Sequence, residues 1–255
     1  QRTARLSATP MFALPEPRAT SSAATATAMS PANNSIDRVA NKDGSWWRLI
    51  RVKLRAVEDS NTVAMNSDWI DDEGFRANVG IILTDDHGKL MIAGRVGSKG
   101  WQFPQGGMLR GEDAQEAMYR ELHEEVGLEP SDVEMLGATS DWLRYRLPDK
   151  YLRRNSTPLC IGQKQRWFML RLAASPDKLR FDLGEAPEFD RARWVDFWRP
   201  VNEVIYFKRR VYACALHELG STVYPMGLPP RPRWWPKRWR AVFDKDIARL
   251  GQGEE

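Results

Sequence analysis

The sequence of 255 residues carries 38 basic and 34 acidic side chains, which gives a formal net charge of +4. This small excess comes from the two ends of the chain. It excludes a protein that binds many phosphates along a duplex, since such a protein needs a strongly basic domain. Two cysteines exclude a disulfide framework or a zinc-cysteine cluster and favour a reducing compartment, and no apolar run reaches the length of about 18 residues that a membrane span requires.

Residues 1–66 lack sustained apolar periodicity, and Ala, Ser, Thr, Pro and Asn dominate them up to about Asn34. This composition predicts a disordered extension rather than a packed domain. Scattered arginines with few acidic residues over 1–64 are also typical of an organellar transit peptide. We favour the alternative that this region is not normally translated and that Met65 is the natural start.

The folded unit is expected to span residues 67–226. Short apolar runs bounded by polar or turn-forming residues predict its strands. These runs are residues 79–83, 90–93, 101–103, 133–136, 166–172 and 193–195. Apolar spacings of three and four predict a central helix from Ala114 to Val126 and a closing helix over 208–219, with a helical turn at 200–204. The pattern predicts an α+β (α/β) fold, with a mixed sheet sandwiched between helices.

A glycine turn is expected just before the central helix. Gly106, Gly107 and Gly111 have no side chain and permit backbone geometries that other residues resist. Gly127 follows the last apolar residue of the helical pattern, so it is predicted to cap the helix at its C-terminus.

Three glutamates share one face of the predicted helix, because Glu121, Glu124 and Glu125 are three and four residues apart. Like charges at this spacing destabilise an isolated helix by a few tenths of a kcal/mol per pair, and we expect these carboxylates to be uncompensated. A solvated acidic face is the ordinary interpretation of such a motif taken alone. The alternative is a site for a hard divalent cation that prefers oxygen ligands, Mg²⁺ or Mn²⁺.

Residues 106–128 match the pattern G-x5-E-x7-R-E-U-x-E-E-x-G-U at every specified position, where U is a bulky aliphatic residue. The segment resembles the box of the Nudix hydrolases. The resemblance implies the Nudix fold and the hydrolysis of a nucleoside diphosphate linked to another group, with divalent cations (Mg²⁺ or Mn²⁺) held by this helix. It implies that Glu121, Glu124 and Glu125 are catalytic metal ligands, assisted by the backbone of Gly106. The remaining box residues are expected to support the loop and helix; they are Gly107, Glu112, Arg120 and Gly127.

The resemblance extends beyond the box to the bacterial RNA pyrophosphohydrolases. Six further segments are similar to theirs: residues 74–80, 101–107, 142–148, 160–165, 187–190 and 207–209. The resemblance implies removal of phosphate, usually as pyrophosphate, from the triphosphorylated or diphosphorylated 5′ end of RNA, which promotes RNA decay. It also implies that Glu188 is an additional metal ligand or a general base.

The substrate side of the site is expected to be cationic. The resemblance implies that Arg76, Arg95 and Lys208 contact phosphate, with Gln102 as a polar neighbour. Arg144 belongs to a basic patch over residues 142–154, which is either a substrate surface or a solvated face. Phe207 is expected to stack on the first base, where aromatic stacking is worth about 1–3 kcal/mol, or else to belong to the core.

Two other functions stay open at this point. Dinucleoside polyphosphate hydrolases of the same branch share much of the pattern, so diadenosine tetra- or pentaphosphate is the alternative substrate. A non-catalytic nucleotide-binding module is disfavoured, because degenerate relatives lose box carboxylates and this chain keeps them. We expect a cytoplasmic location, or an organellar one if residues 1–64 are a transit peptide; the sequence identifies no regulatory protein partner.

The segment that ends the chain, residues 227–255, combines proline, tryptophan and basic residues. Three tryptophans and five basic side chains alternate over residues 229–240. This composition is typical of an auxiliary strip that stacks on RNA, and also of a contact with anionic lipid or a partner protein. The remaining interpretation is a tail that is disordered or packs its tryptophans on the domain.

Overall fold

The computed structural model describes residues 69–183 and 187–235. The predictions for residues 1–66 and for the tail beyond Trp235 lie outside the described residues. Within these limits no helix has both the length and the apolar character needed to cross a bilayer.

The described residues form eight strands and three α-helices, joined by turns and short 3₁₀ segments. In chain order the elements are β1 Phe75–Thr84, β2 Leu90–Arg95, β3 Trp101–Gln102, β4 Gln105–Gly107, α1 Ala114–Val126, β5 Val133–Ala138, β6 Leu143–Arg146, β7 Gly162–Leu172, β8 Phe189–Val195, α2 Arg199–Glu203 and α3 Arg209–Leu219.

The strands form one mixed sheet with β1 and β7 at its centre. These two strands run parallel, in a register that extends from Phe75 opposite Gly162 to Thr84 opposite Arg171. The other pairings are antiparallel: β2 and β4 pair with β1, β5 and β6 pair with β7, and β3 and β8 pair with β2. The predicted mixed sheet is confirmed.

Helices cover both faces of this sheet. Side chains alternate between the faces along a strand, so Ile81 packs in the layer that contains α1 while Ile82 packs in the layer that contains α3. On α1 the buried apolar residues include Met118 and Leu122, at the spacing that the sequence predicts. Burial on both faces explains the continuous apolar run at residues 79–83 of β1.

Several strands are longer than their apolar runs suggest. β7 begins at Gly162, four residues before its predicted start, although its first residues are mostly polar. It is extended there because it pairs with β1 on one side and with β6 on the other. Tertiary pairing therefore overrides the local preference for these residues.

The described part of the tail packs against the domain. Trp235 is only 2% exposed, and its ring meets that of Trp198 edge-on at 5.3 Å between centroids. The indole nitrogen of Trp198 donates a hydrogen bond to the carbonyl of Pro229 at 2.7 Å. Packing therefore continues beyond residue 226, where the sequence suggested that the domain ends.

Candidate active site

Both ends of α1 are fixed by caps. Asp113 accepts hydrogen bonds at 2.8 Å from the backbone N–H groups of Gln115 and Glu116, and the Glu116 side chain accepts in return from the backbone of Asp113. At the other end Gly127 adopts φ 71°, in the left-handed region that favours glycine, and its N–H donates to the carbonyl of His123. These caps set where the helix begins and ends, and hence which way its glutamates point.

Arg120 ties the box loop to the helix. Its guanidinium donates to Glu112 at 2.8 and 2.9 Å, to Glu121 at 2.6 Å, to Glu124 at 3.1 Å and to the carbonyl of Gly107 at 2.7 Å. The side chain of Arg120 is 11% exposed, so its bonds to Glu112, Glu121 and Gly107 form away from bulk water, whereas the bond to Glu124 is exposed. The expectation that the helix carboxylates are uncompensated is therefore wrong, because one buried arginine bonds two of them.

We expect Arg120→Lys to lower the free energy of unfolding by about 3 kcal/mol, because a lysine cannot serve so many buried acceptors at once. Urea unfolding of the metal-free protein measures the loss. The matched control is Arg171→Lys, since Arg171 pairs with Glu134 in an exposed ion pair, which should be worth less than about 1 kcal/mol. Equal losses in the two variants would contradict a structural role for Arg120.

Gly106 and Gly107 are needed for close approach rather than for a turn. Both lie in β4 with φ outside the left-handed region, and of the three predicted turn glycines only Gly111 has a positive φ, of 82°. A Cβ on Gly106 would lie 1.9–2.1 Å from the carboxyl atoms of Glu121, and one on Gly107 would lie 2.3 Å from the Arg76 guanidinium. The predicted glycine turn is thus wrong at these two positions.

Glu125 and Glu188 meet although they are distant in sequence. Glu125 accepts the N–H of Gln105 at 2.7 Å, and it feels the charge of Glu188, whose Oε1 accepts from the amide of Gln102 at 3.0 Å. Burial, together with the charges of Glu121 and Glu188, holds the pKa of Glu125 well above its ordinary value. Negative charge is therefore concentrated where Glu121, Glu125 and Glu188 lie near one another.

These three carboxylates fit a divalent cation by their chemistry. They supply hard oxygen donors in a place where burial, and then mutual repulsion, raises the pKa of Glu125, and a bound dication would relieve that repulsion. Among the described residues, no group of three or more Asp, Glu, His or Cys side chains is already arranged to hold a metal ion. Arg120 forms ion pairs with oxygens of Glu121 and Glu124. The side chain of Glu124 is 54% exposed, on the outer side of this cluster.

A cleft of about 740 Å³ adjoins the carboxylates. Five of the six residues predicted to bind substrate line it: Arg76, Arg95, Gln102, Phe207 and Lys208. Arg95 joins the cleft to the carboxylates, because its guanidinium lies 3.3 Å from Oε1 of Glu188. Burial lowers the pKa of Lys208 to about 8, with the charge of Arg95 acting in the same direction.

Arg144 is the predicted substrate residue that the structure does not bring to the cleft. On β6 the neighbouring Tyr145 points into the cleft, so Arg144 points to the opposite face of the strand. There it pairs with Glu73, and its guanidinium lies 5.3 Å from the centre of the Phe75 ring. The basic patch is thus divided between the two faces, and Arg144 belongs to the solvated side.

Phe207 lines the cleft and also packs against the core. Its ring centroid lies 5.7 Å from that of Tyr145 and 5.1 Å from that of Tyr151. Sequence reasoning missed both tyrosines as cleft residues. An aromatic residue in a segment of mixed polarity carries no signal that distinguishes a cleft wall from the core.

Comparison with known proteins identifies the family of this domain. Residues 74–213 match the NUDIX domain family. This chain belongs to the NUDIX family. NUDIX hydrolases need divalent metal cations, so the requirement extends to this domain.

Three relatives named RNA pyrophosphohydrolase are more than half identical to this chain over the matched residues. The protein from Alkalilimnicola ehrlichii is 56% identical over 163 residues, which is 64% of this chain and 90% of that protein. The one from Thioalkalivibrio sulfidiphilus is 54% identical over 164 residues, covering 64% of this chain and 95% of its own length. The one from Legionella pneumophila is 58% identical over 150 residues, covering 59% and 86%.

Proposed function

We propose that this NUDIX hydrolase removes pyrophosphate or phosphate from the 5′-triphosphate or 5′-diphosphate end of RNA. The product is 5′-monophosphate RNA, and the reaction promotes RNA decay. Identity above 50% to RNA pyrophosphohydrolases over 150 to 164 residues supports this substrate. By the same similarity to bacterial proteins, we place the reaction in the cytoplasm.

The observation that carries the proposal is a cationic cleft that leads to clustered carboxylates. Arg95 and Lys208 line the cleft, and Arg95 contacts Glu188, whose charge acts on Glu125. A polyphosphate needs cations along its length and a carboxylate-rich place at the bond that breaks. Both environments lie side by side here.

The carboxylates are the groups that would hold the metal, for which we propose Mg²⁺, or Mn²⁺ in its place. When bound, such an ion neutralises phosphoryl oxygens and lowers the pKa of a coordinated water. Glu121, Glu125 and Glu188 supply the oxygens, and the backbone of Gly106 lies against Glu121 with no side chain between them. Glu124 is assigned to the outer side of the same site.

Proton transfer is assigned to Glu188. Its Oε1 atom is held by Gln102 and Arg95, and these contacts orient the carboxyl group beside Glu125. A base must lie within hydrogen-bond reach of the proton that it takes, either directly or through one water. Glu188 is suited to accept the proton of the attacking water because it stands between the cleft and the other carboxylates.

The substrate-side residues bind and orient the polyphosphate. Arg76, Arg95 and Lys208 are the cations, and Lys208 is buried, so its charge acts with little screening by water. Gln102 positions Glu188 from the cleft side. Phe207 offers its ring to the first base, where stacking accepts any of the four bases.

A substrate panel with and without chelator tests the proposal. In Mg²⁺ the purified protein should release pyrophosphate or phosphate from 5′-triphosphorylated RNA, and an excess of EDTA should stop the release. Diadenosine tetraphosphate is the second arm, and a higher kcat/KM on it than on RNA would favour the dinucleoside polyphosphate alternative. Absence of hydrolysis in both arms would contradict an enzymatic role.

A further inference from the structure

The ring of Trp101 in β3 lies against two arginines of β8. The guanidinium of Arg193 lies 4.1 Å from the centre of this ring, and that of Arg191 lies 5.1 Å from it. The two arginines are two residues apart in their strand, so their side chains point to the same face of the sheet. We call Trp101, Arg191 and Arg193 the arginine clamp. A planar guanidinium is attracted to the face of an aromatic ring, and the attraction is strongest for tryptophan.

A glycine in the strand between them allows this contact. Gly94 of β2 pairs with Trp101 on one side and with Arg191 on the other, so the three residues form one row across β3, β2 and β8. A Cβ on Gly94 would lie 2.7 Å from Cγ and Nε of Arg191. The side chain of Arg191 therefore crosses β2 over Gly94 to reach the indole ring, and a larger residue in β2 would displace it.

Ion pairs and a hydrogen bond hold both guanidinium groups in place. Arg193 pairs with Glu203 of α2 at 3.1 Å, and the side chain of Glu203 is only 17% exposed. Arg191 pairs with Asp190 and donates to the carbonyl of Ser98 at 3.0 Å. The clamp therefore connects β3 to β8 and α2 through side chains, in addition to the backbone pairing of the strands.

The clamp supports a strand that is very short. β3 consists of Trp101 and Gln102, which pair with Gly94 and Ala93 of β2. Gln102, the residue after the clamped tryptophan, donates its side-chain amide to Oε1 of Glu188 at 3.0 Å. A movement of β3 would therefore be transmitted to the carboxyl group of Glu188.

We propose that Arg191 and Arg193 are positioning residues for the reaction. They hold Trp101 on β3, and the adjacent Gln102 then keeps Glu188 in the orientation for proton transfer. This inference rests on the proposed function and on the role assigned there to Glu188. Within the described residues neither arginine lines the cleft, so both act through β3 rather than on the substrate.

A double-mutant cycle between Gly94 and Arg191 tests this inference. Gly94→Ala displaces the flexible guanidinium from the indole ring, and Arg191→Met removes its charge, while Trp101, which lines the cleft, stays unaltered. Each change should lower kcat on 5′-triphosphorylated RNA by about tenfold, since a shift of about 1 Å in a catalytic group costs more than this. KM should be unchanged. The double variant should be no slower than either single variant, because both changes remove the same contact.

Two controls make the same chemical changes elsewhere in the sheet. Gly137→Ala adds a Cβ that meets nothing closer than 3.4 Å, and Arg171→Met removes a guanidinium from an exposed ion pair with Glu134. Both proteins should keep the kcat and KM of the unaltered protein. Arg191→Lys should retain most of the rate, because an ammonium group can still lie over the indole ring.

The rates decide the outcome. Additive losses in the double variant, or an Arg191→Lys protein as slow as Arg191→Met, would overturn the inference. An unchanged kcat would do the same, and a rise in KM alone would indicate that the arginines bind substrate.

A second measurement separates this inference from the proposed function. If the unaltered protein hydrolyses no triphosphorylated RNA, the proposed function has failed separately. Hydrogen exchange of the peptide that contains Trp101 and Gln102 then tests the clamp. Exchange should be faster in Gly94→Ala than in Gly137→Ala, and equal exchange in the two variants overturns the inference.

Discussion

Glu125→Gln is expected to lower kcat about a thousandfold on triphosphorylated RNA while leaving the protein folded. The change removes a charge and keeps the shape, and the amide oxygen of glutamine can still accept the N–H of Gln105, which bonds Glu125 at 2.7 Å. What is lost is one of the three carboxylates that would hold the cation. Pyrophosphate release at saturating RNA, measured at several Mg²⁺ concentrations, gives the rate. A retained rate would remove Glu125 from the proposed site.

The stability of the same variant excludes misfolding as the cause. Because the folded-state pKa of Glu125 is raised, its ionisation destabilises the metal-free protein as pH rises above the ordinary glutamate range, and has no such effect below that range. Glu125→Gln should therefore have a higher free energy of unfolding than the unaltered protein at neutral pH in EDTA, with the difference shrinking towards pH 4. Glu134→Gln, an exposed carboxylate on β5, should change neither rate nor stability. A lower stability of Glu125→Gln at neutral pH would contradict the raised pKa.

The helix that carries the box was predictable because its signals are local. The apolar spacing, the capping glycine and the glutamate triplet all lie within residues 106–128. For Arg120 the sequence predicted a supporting role but not the hydrogen-bond partners, because these are determined by contacts in the folded protein. Its guanidinium reaches Glu112 across the loop and Gly107 in β4, and no spacing rule predicts that geometry.

Strand register determines several contacts of the site that the sequence pattern does not predict. Asn78 lies opposite Gly107, a pairing that makes the predicted glycine turn a strand. Arg95 lies opposite Phe189, the residue after Glu188, and this pairing of β2 with β8 brings the two charges together. Side chains alternate between the two faces of β6, so Arg144 points away from the cleft. A shift of one residue in any of these pairings would move the side chains to the other face of the sheet. No local sequence pattern specifies the register.

The tyrosines around Phe207 show the same limit at longer range. Tyr151 and Tyr206 come from segments separated by β7 and β8, and only the fold brings both rings into contact with Phe207. Resemblance to a family assigns residues that the family shares. The resemblance did not assign these two tyrosines, because their contacts with Phe207 are formed only in the folded protein.

Gly106→Ala should lower kcat/KM by about a hundredfold while the protein stays folded, because misplacing a catalytic group by about 1 Å costs that much. Its Cβ would lie 1.9–2.1 Å from the Glu121 carboxyl, so that carboxyl must move. The side chain of Glu121 is only 11% exposed and is bonded to Arg120 at 2.6 Å, which leaves few places for it to go. Isothermal titration with Mn²⁺ should show weaker binding alongside the lower rate.

The matched control is Gly137→Ala, at a β5 glycine whose added Cβ would meet nothing closer than 3.4 Å. It makes the same chemical change in a strand of the same sheet, so any general cost of alanine in a strand appears in both variants. We expect Gly137→Ala to keep the rate and the Mn²⁺ affinity of the unaltered protein. If Gly106→Ala matches this control in both measurements, the contact between Gly106 and Glu121 is not part of the site. If it loses the rate and keeps the Mn²⁺ affinity, Glu121 orients the substrate instead of holding the cation.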